Sequence, residues 1–304
     1  MSALRDKKTA AIVLNYRDRA NTLRLIKNFC EFDIIDNIEL VDNSGSDAIR
    51  QDEILGCKVD LLYTNNEGYA RGNNRGIMAV EEKHGSFDFF IISNSDIEVS
   101  NDAINACINF LCQNDEYAVA APRMKKLDGT YSKLSGWRER TFLCDLAYSS
   151  GILSRLIGMY RETYPPQHWQ TSFSTVDCVA GSFFVVKAEV LKKVEYFDEK
   201  TFLFYEEDIL GFKLKKLGYK EAILNDFYFV HYEGVSSSST TKLIKKYLLM
   251  QKSRLYFHRK YTRLNIGQQI ILYVATGIGI IENVLKTLFI HLKSKMQSNT
   301  TEVK

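Results

Sequence analysis

Between residues 8 and 96, short apolar runs alternate with polar stretches in the rhythm of strands and helices. AAIVLNY (10–16) is a continuous apolar, β-branched run closed by Asn15, the pattern of a strand covered on both faces. A helix is expected next, with Leu23, Ile26, Phe29 and Cys30 on one face. IELVDN (38–43), VDLLYT (59–64) and FDFFIISNSD (87–96) repeat the strand-then-polar form, and a short helix through Ile77 and Val80 separates the last two. Strands alternating with helices predict an α/β fold with a mostly parallel sheet, whose ligands bind outside the carboxyl ends of the strands. Those ends read Asn15 and Tyr16, Asp42 and Asn43, Asn65 and Asn66, then Asn94, Ser95 and Asp96. Four strands thus deliver amides and carboxylates to one edge.

TNNEGYARGNNRG (64–76) lies between a strand and a helix, where backbone N–H groups at a helix start can face an anion. Its Gly68, Gly72 and Gly76 are spaced G-x3-G-x3-G, which is neither the dinucleotide fingerprint nor a P-loop. Polar intervening residues also exclude a membrane G-x-x-x-G face. Glycines four apart can instead form one helix face packed close on a sheet, an alternative that accounts for Gly76 but not for Asn66, Asn73 and Asn74.

The chain has 304 residues, 45% of them hydrophobic, enough for one large α/β unit with additions or for two domains. Three prolines and 25% charged residues give no sign of a Pro-rich linker or a disordered tract. The first apolar run is too short for a signal peptide and has no cleavage site after it, so a cytosolic location is expected. Cys30, Cys57, Cys107, Cys112, Cys144 and Cys178 contain no C-x-x-C pair and read as free, buried thiols. The net charge of +3 hides an asymmetry: from residue 241 onward there are 12 Lys+Arg against 2 Asp+Glu, and the first 240 residues are net −7. Nucleic acid is therefore not an expected partner of the first part.

Seven pieces in order carry a resemblance: V-L-N-Y, V-D-N-S, N-x-G-Y-A-x-G-N-N-x-G, N-S-D, V-x-G-S-F-F, F-D-E-x-x-F-L-F-Y-E-E-D and H-Y-E-G. Together they resemble the family 2 glycosyltransferases, in particular the rhamnosyltransferase-like branch with a GT-A fold, over residues 8 to 260 or so. The resemblance implies a GT-A domain over 1–240, with a nucleotide half (8–122) and an acceptor half (123–240), followed by a helical region at 241–304. It implies that Asp42 contacts the nucleoside and that Asn66 and Asn73 line the nucleotide and its diphosphate, with Asn15, Tyr16, Gly68, Asn74 and Asn94 in the same cradle. Amides both donate and accept, which suits a pyrimidine edge.

Asn94-Ser95-Asp96 resembles the family's D-x-D, with Asn in place of the first Asp. Asp96 would then hold a divalent cation, Mg²⁺ or Mn²⁺, with His231 of H-Y-E-G as a second ligand. Asp96 as a cap for a helix near Asn101, and His231 as a structural imidazole, are the alternatives. Glu206, Glu207 and Asp208 precede an amphipathic helix, ILGFKLKKLGYK, whose dipole favours acids at its start. The resemblance makes one of them the general base, Glu207 by match to the family's Glu-Asp pair. Asp208 is shifted by one place and Ile209 stands where the last Asp would be, so the choice between Glu207 and Asp208 stays open. Asp177 and Gly181 resemble the segment facing the acceptor, and Trp137 and Trp169 could stack on sugars or belong to the core.

Residues 242–263 have a basic amphipathic helix pattern, and the apolar run 270–281 stops after 12 residues at Glu282. A spanning helix needs about 20 apolar residues, so the tail is expected to lie on an anionic membrane surface; a core or dimer helix is the alternative. The reading is an inverting, metal-dependent glycosyltransferase at the inner face of the cell membrane. It would move a sugar from a dTDP- or UDP-linked donor, rhamnose foremost, to a lipid-linked polysaccharide intermediate, with homo-oligomerisation left open. A nucleotidyltransferase would need a Gly/Lys/Arg-rich loop near the first strand, where V-L-N-Y-R-D-R-A-N has no glycine. A non-catalytic nucleotide-binding scaffold is the other rival.

Overall fold

The structure is a computed structural model that describes residues 7–54, 58–157, 163–232 and 240–301, the side chains of 240–243 and 290–301 excepted. Cys57 and the last two residues of H-Y-E-G lie outside the described residues. The chain divides into two compact units, Met1–Glu139 with Thr163–Gly234, and Arg140–Glu162 with Val235–Lys304. Residues 140–162 thus cluster with the C-terminal helices, whereas a linear division places them in the acceptor half.

In the first unit the strands are β1 (Thr9–Asn15), β2 (Asn37–Asp42), β3 (Val59–Tyr63), β4 (Phe89–Asn94), β5 (Ile97–Val99) and β6 (Tyr117–Lys125). They continue as β7 (Gly136–Trp137), β8 (Phe173–Val176), β9 (Cys178–Val179), β10 (Phe183–Lys187) and β11 (Lys220–His231). One sheet runs β3-β2-β1-β4-β10-β6-β11-β5, with β8 added on β11. β1 to β4 pair in parallel, as expected. The second half is mixed: β10 is antiparallel to β4 and β6, and β5 and β8 are antiparallel to β11. The mostly parallel sheet is therefore a property of the first half alone, because antiparallel pairing is set by long-range contacts that local periodicity does not encode.

Alternate residues of β1 explain the two cores. Ala11 and Val13 face Leu25, Ile26 and Phe29 of α1 (Arg19–Glu31) and Ile104 and Ile108 of α3 (Asn101–Gln113). Ala10 and Ile12 share the other core with Ile77 and Val80 of α2 (Tyr69–His84). Each α2 glycine lies where a side chain has no room: a Cβ on Gly72 would sit 2.6 Å from Leu14 Cδ1, and one on Gly76 2.7 Å from both Ile12 and Val41 methyls. The helix begins at Tyr69, so Gly72, Asn73, Asn74 and Gly76 are helical rather than loop residues.

The second unit holds α4 (Phe142–Ala147), α5 (Gly151–Ile157), α8 (Thr240–Phe257), a π-helical turn (His258–Thr262) and α9 (Ile266–Thr301), while α6 (Ala188–Lys193) and α7 (Glu206–Lys216) complete the first. A buried polar clamp joins its helices. Arg254 donates to the Asp145 carbonyl at 2.8 Å, to Ser149 Oγ at 2.6 Å and to Thr276 Oγ1 at 2.6 Å, and His258 Nε2 meets Asp145 Oδ2 at 2.6 Å. α9 is one continuous helix, and Ile266–Phe289 is by length and composition long and apolar enough to cross a membrane, although the uninterrupted apolar run within it still ends at Glu282.

Among the described residues no cysteine is in a disulfide; Cys107, Cys144 and Cys178 are buried, while Cys30 is half-buried and Cys112 exposed, contrary to expectation for these two.

Candidate active site

The strand ends that converge on one edge of the first unit differ in how their polar groups are used. Asn15 is fully buried and its amide is committed on both sides: Nδ2 donates to Asp42 Oδ2 at 3.0 Å and to Ser44 Oγ at 3.2 Å, and Oδ1 accepts from Asp18 N and Thr22 Oγ1. Asp42 also accepts the backbone N–H of Ser44 and of Ile49, each at 2.8 Å. These two residues shape the loop after β2, and Tyr16 and Asn66 stand exposed beside them at the ends of β1 and β3.

The start of α2 is held by backbone contact. Gly68 has φ +105° and a Cβ there would fall on the carbonyl oxygen of Phe202, which accepts the Tyr69 N–H at 3.0 Å. Asn74 works as a strut: its amide donates to the Phe197 carbonyl and Glu199 Oε1 and accepts the Phe197 N–H. Asn73 is buried, donates to the Tyr69 carbonyl at 3.0 Å and leaves Oδ1 with no partner. The quoted glycine stretch therefore ties the β3 end to the segment that leads into α7.

Asp96 follows β4 in the tight turn into β5, and β11 delivers His231 opposite Ile97. His231 Nε2 lies 3.3 Å from Asp96 Oδ1, and the Asp96 carbonyl accepts the Tyr232 N–H at 2.8 Å. The helix near Asn101 is capped instead by Ser100, whose Oγ accepts the Ala103 N–H at 3.2 Å. Asn94 bonds through its backbone N–H to the Ser182 carbonyl, bringing the segment before β10 against the same edge. Among the described residues no group of three or more His, Cys, Asp or Glu is arranged to hold a metal ion. One carboxylate with one imidazole is a donor set that fits a divalent cation sharing its other positions with water and phosphate oxygens.

Phe204 and Tyr205 both have positive φ, +72° and +70°, immediately before α7. Strain of this kind costs about 1–3 kcal/mol per residue and persists where packing enforces it. The result is a helix that opens on Glu206, so all three acids occupy its first turn. They are not equivalent. Glu206 is buried, Oε1 has no partner, and burial followed by the charge of Glu207 holds its carboxyl well above the ordinary range. Asp208 is buried and accepts Trp137 Nε1–H at 2.9 Å. Glu207 is the half-buried member, and its Oε1 accepts the Gly181 N–H at 3.2 Å. A Cβ at Gly181 would fall on that oxygen, and the Gly181 carbonyl accepts the Tyr69 hydroxyl. Gly181 thus joins α2 to α7. Asp177 is engaged by the Glu139 N–H, by Tyr164 and by Lys215 Nζ at 3.1 Å. Trp169 packs edge-on against Tyr164.

Sequence reasoning missed Glu221. It sits on β11, buried, with Oε2 accepting the Val179 N–H at 2.7 Å and Oε1 orphaned. Burial raises its carboxyl, and Asp177, Asp208 and Glu207 add to the rise. Its only signal was one carboxylate inside the apolar run KEAIL. Tyr69 was missed as well; burial, then Glu207 and Glu206, push its phenol up.

A curated relative, the low-salt glycan biosynthesis hexosyltransferase Agl10 of Haloferax volcanii, is 28% identical over 204 residues, 64% of this chain and 58% of its own length. The chain therefore spans less than two thirds of that relative. Rhamnosyltransferase WbbL of Escherichia coli K12 is 23% identical over 223 residues, 73% of this chain and 82% of its own. Among solved structures, GalNAc-T7 with UDP, GalNAc and Mn²⁺ superposes with a TM-score of 0.60 at 12% identity, over 90% of this chain and 55% of that one. That likeness concerns the fold, which is of the GT-A kind. A family model described as Glycosyl transferase family 2 matches residues 10–194, more than half of the chain, and the chain belongs to that family.

Proposed function

We propose that this chain transfers a sugar, with inversion, from a nucleoside diphosphate to a hydroxyl of a lipid-linked glycan. The observation that carries the proposal is the Asp96–His231 pair just past the β4 end, where Asn94 is bonded to Ser182, together with Glu207, the least buried acid of the α7 turn, which holds the adjacent Gly181. Asp96 and His231 would hold a divalent cation, which supplies charge neutralisation at the departing diphosphate. Asn66 and Tyr16, exposed on the β3 and β1 ends, face the position of the nucleotide, and Asn15 and Asp42 keep the β2 loop in shape around it. Glu207 takes the proton of the acceptor hydroxyl as its oxygen bonds to the anomeric carbon and the bond from that carbon to the diphosphate oxygen breaks.

Two neighbours support Glu207 over Asp208. Burial, followed by the charge of Glu207, raises the Glu206 carboxyl and so favours its neutral form, while Glu207 is the less buried of the two. Asp208 is tied to Trp137 and shielded. Names of relatives supply the donor reading: a rhamnosyltransferase and a hexosyltransferase among the curated proteins, and UDP with Mn²⁺ in the solved structure. dTDP-rhamnose is the donor placed first, with UDP-hexoses second.

The test is transfer from dTDP-rhamnose, UDP-glucose and UDP-N-acetylglucosamine to a polyprenyl diphosphate oligosaccharide, with Mn²⁺ or with chelator, product anomers read by NMR. Inverted product from one donor, lost with chelator, is expected. Nucleotide binding without turnover on any acceptor would leave a scaffold instead.

A further inference from the structure

The outer face of α9 is exposed and apolar between Ile266 and Phe289. Ile266, Ile270, Ile271, Tyr273, Val274, Ile278, Ile281, Val284, Leu285, Leu288 and Phe289 are all exposed. At about 100° per residue they fall in an arc of about 160°, which between Ile266 and Phe289 holds no charged side chain and only the Tyr273 hydroxyl as a polar group. The apolar stretch runs over 24 residues, about 36 Å of helix.

The inner face is already occupied within the second unit. Leu272 and Ala275 are buried, Thr276 receives Arg254, and a Cβ on Gly279 would fall on the Ser149 carbonyl and the Tyr247 hydroxyl. Glu282, which interrupts the apolar run in the sequence, turns to this side: its carboxylate accepts the Gly151 N–H at 2.8 Å and pairs with Lys286 at 2.8 Å. The interruption is therefore absent from the outer face. It also fixes α5 beside α9, and α5 leaves Ile152 and Leu156 exposed, the latter by 77%. A helix with one face held by protein and the other wholly apolar is built to lie in a bilayer interface rather than to cross it.

We propose that α9, with Ile152 and Leu156 of α5, inserts in the plane of an anionic phospholipid surface. Charge selects this occupant over a second copy of the chain. Arg259, Lys260 and Arg263, all exposed, precede α9, Lys245, Lys246 and Lys252 are exposed on α8, and the segment from 241 onward carries 12 basic against 2 acidic residues. Two such faces brought together would repel, whereas lipid phosphates attract them. This inference deepens the lipid-linked part of the proposed function and is read without donor or acceptor, so it stands or falls separately from sugar transfer.

The experiment is flotation of the full chain with preformed vesicles of phosphatidylcholine alone or mixed with phosphatidylglycerol, alongside light scattering without lipid. The wild-type chain is expected to float with the mixed vesicles, less so in high salt. The variant Ile281→Glu/Leu285→Glu should lose about tenfold or more in affinity, since each residue withdraws one large apolar side chain from lipid. Leu217→Glu, an exposed apolar position on the first unit, should change nothing. No flotation, or flotation equal in Ile281→Glu/Leu285→Glu and wild type, overturns the proposal. So does a dimer that disperses in that variant without any vesicle binding, which would assign the face to a second copy.

Discussion

The β1–β2 edge and the first turn of α7 present polar side chains to the same region of the first unit in opposite conditions. At the β1–β2 edge, Asn15 and Asp42 are satisfied by their own loop before any ligand arrives. At α7, Glu206 and nearby Glu221 keep orphaned oxygens, two aromatic residues hold positive φ, and like charges crowd one another. The first is a finished mould; the second stores strain and electrostatic tension. A mould tolerates small losses as stability, whereas a tense site turns the same losses into rate.

The largest expected break in this contrast is Glu207→Gln. Turnover should fall about 10²–10⁴-fold with nucleotide affinity nearly unchanged, measured by transfer assay and calorimetric titration. Equal turnover would remove the base from α7. Next is Asp96→Ala, expected to weaken Mn²⁺-dependent nucleotide binding about 10–100-fold while metal-free binding changes little, with His231→Gln following at smaller size. A loss of the same size without metal would make Asp96 structural. Asn74→Ala should act on stability, lowering it by about 1–3 kcal/mol in denaturant melts because the Phe197 N–H is left unpaired, with donor affinity unaffected. Weakened donor binding at unchanged stability would move Asn74 from strut to ligand.

The smallest effect is a pH slope. Glu206 has a raised carboxyl in the folded chain, so its contribution is fully present below the ordinary carboxylate value and is lost as pH rises through the raised one. Glu206→Gln removes that loss. Its stability relative to wild type should improve as melts move from acid to alkaline buffer, and a constant difference would mean that Glu206 is not held neutral.

Much of this was legible in the sequence, for identifiable reasons. β1, β2 and β4 are parallel strands buried on both faces, and such strands are written as apolar runs ending in polar residues, whereas the edge strand β3 is only partly covered. Gly76 was legible as a close-packing position, and Ile12 and Val41 are what it accommodates. The helical state of Asn73 and Asn74 was hidden, because glycine and amides read locally as loop while tertiary contact with the 197–202 segment decides otherwise. The separation of Glu207 from Asp208 needed Trp137 and Gly181, both remote in the chain. Glu282 looked like a break in the tail because a sequence has no inside and outside until a helix is packed.

One further consequence belongs to folding order. Asp96 lies just before the unit's fifth strand and His231 ends its last, and their approach requires the antiparallel pairing of β5 with β11. The two groups are strangers in any shorter nascent chain. Long-range closures of this kind come late and slowly, so cation binding at this pair would act as a quality stamp: a chain that takes up the ion has already completed its sheet.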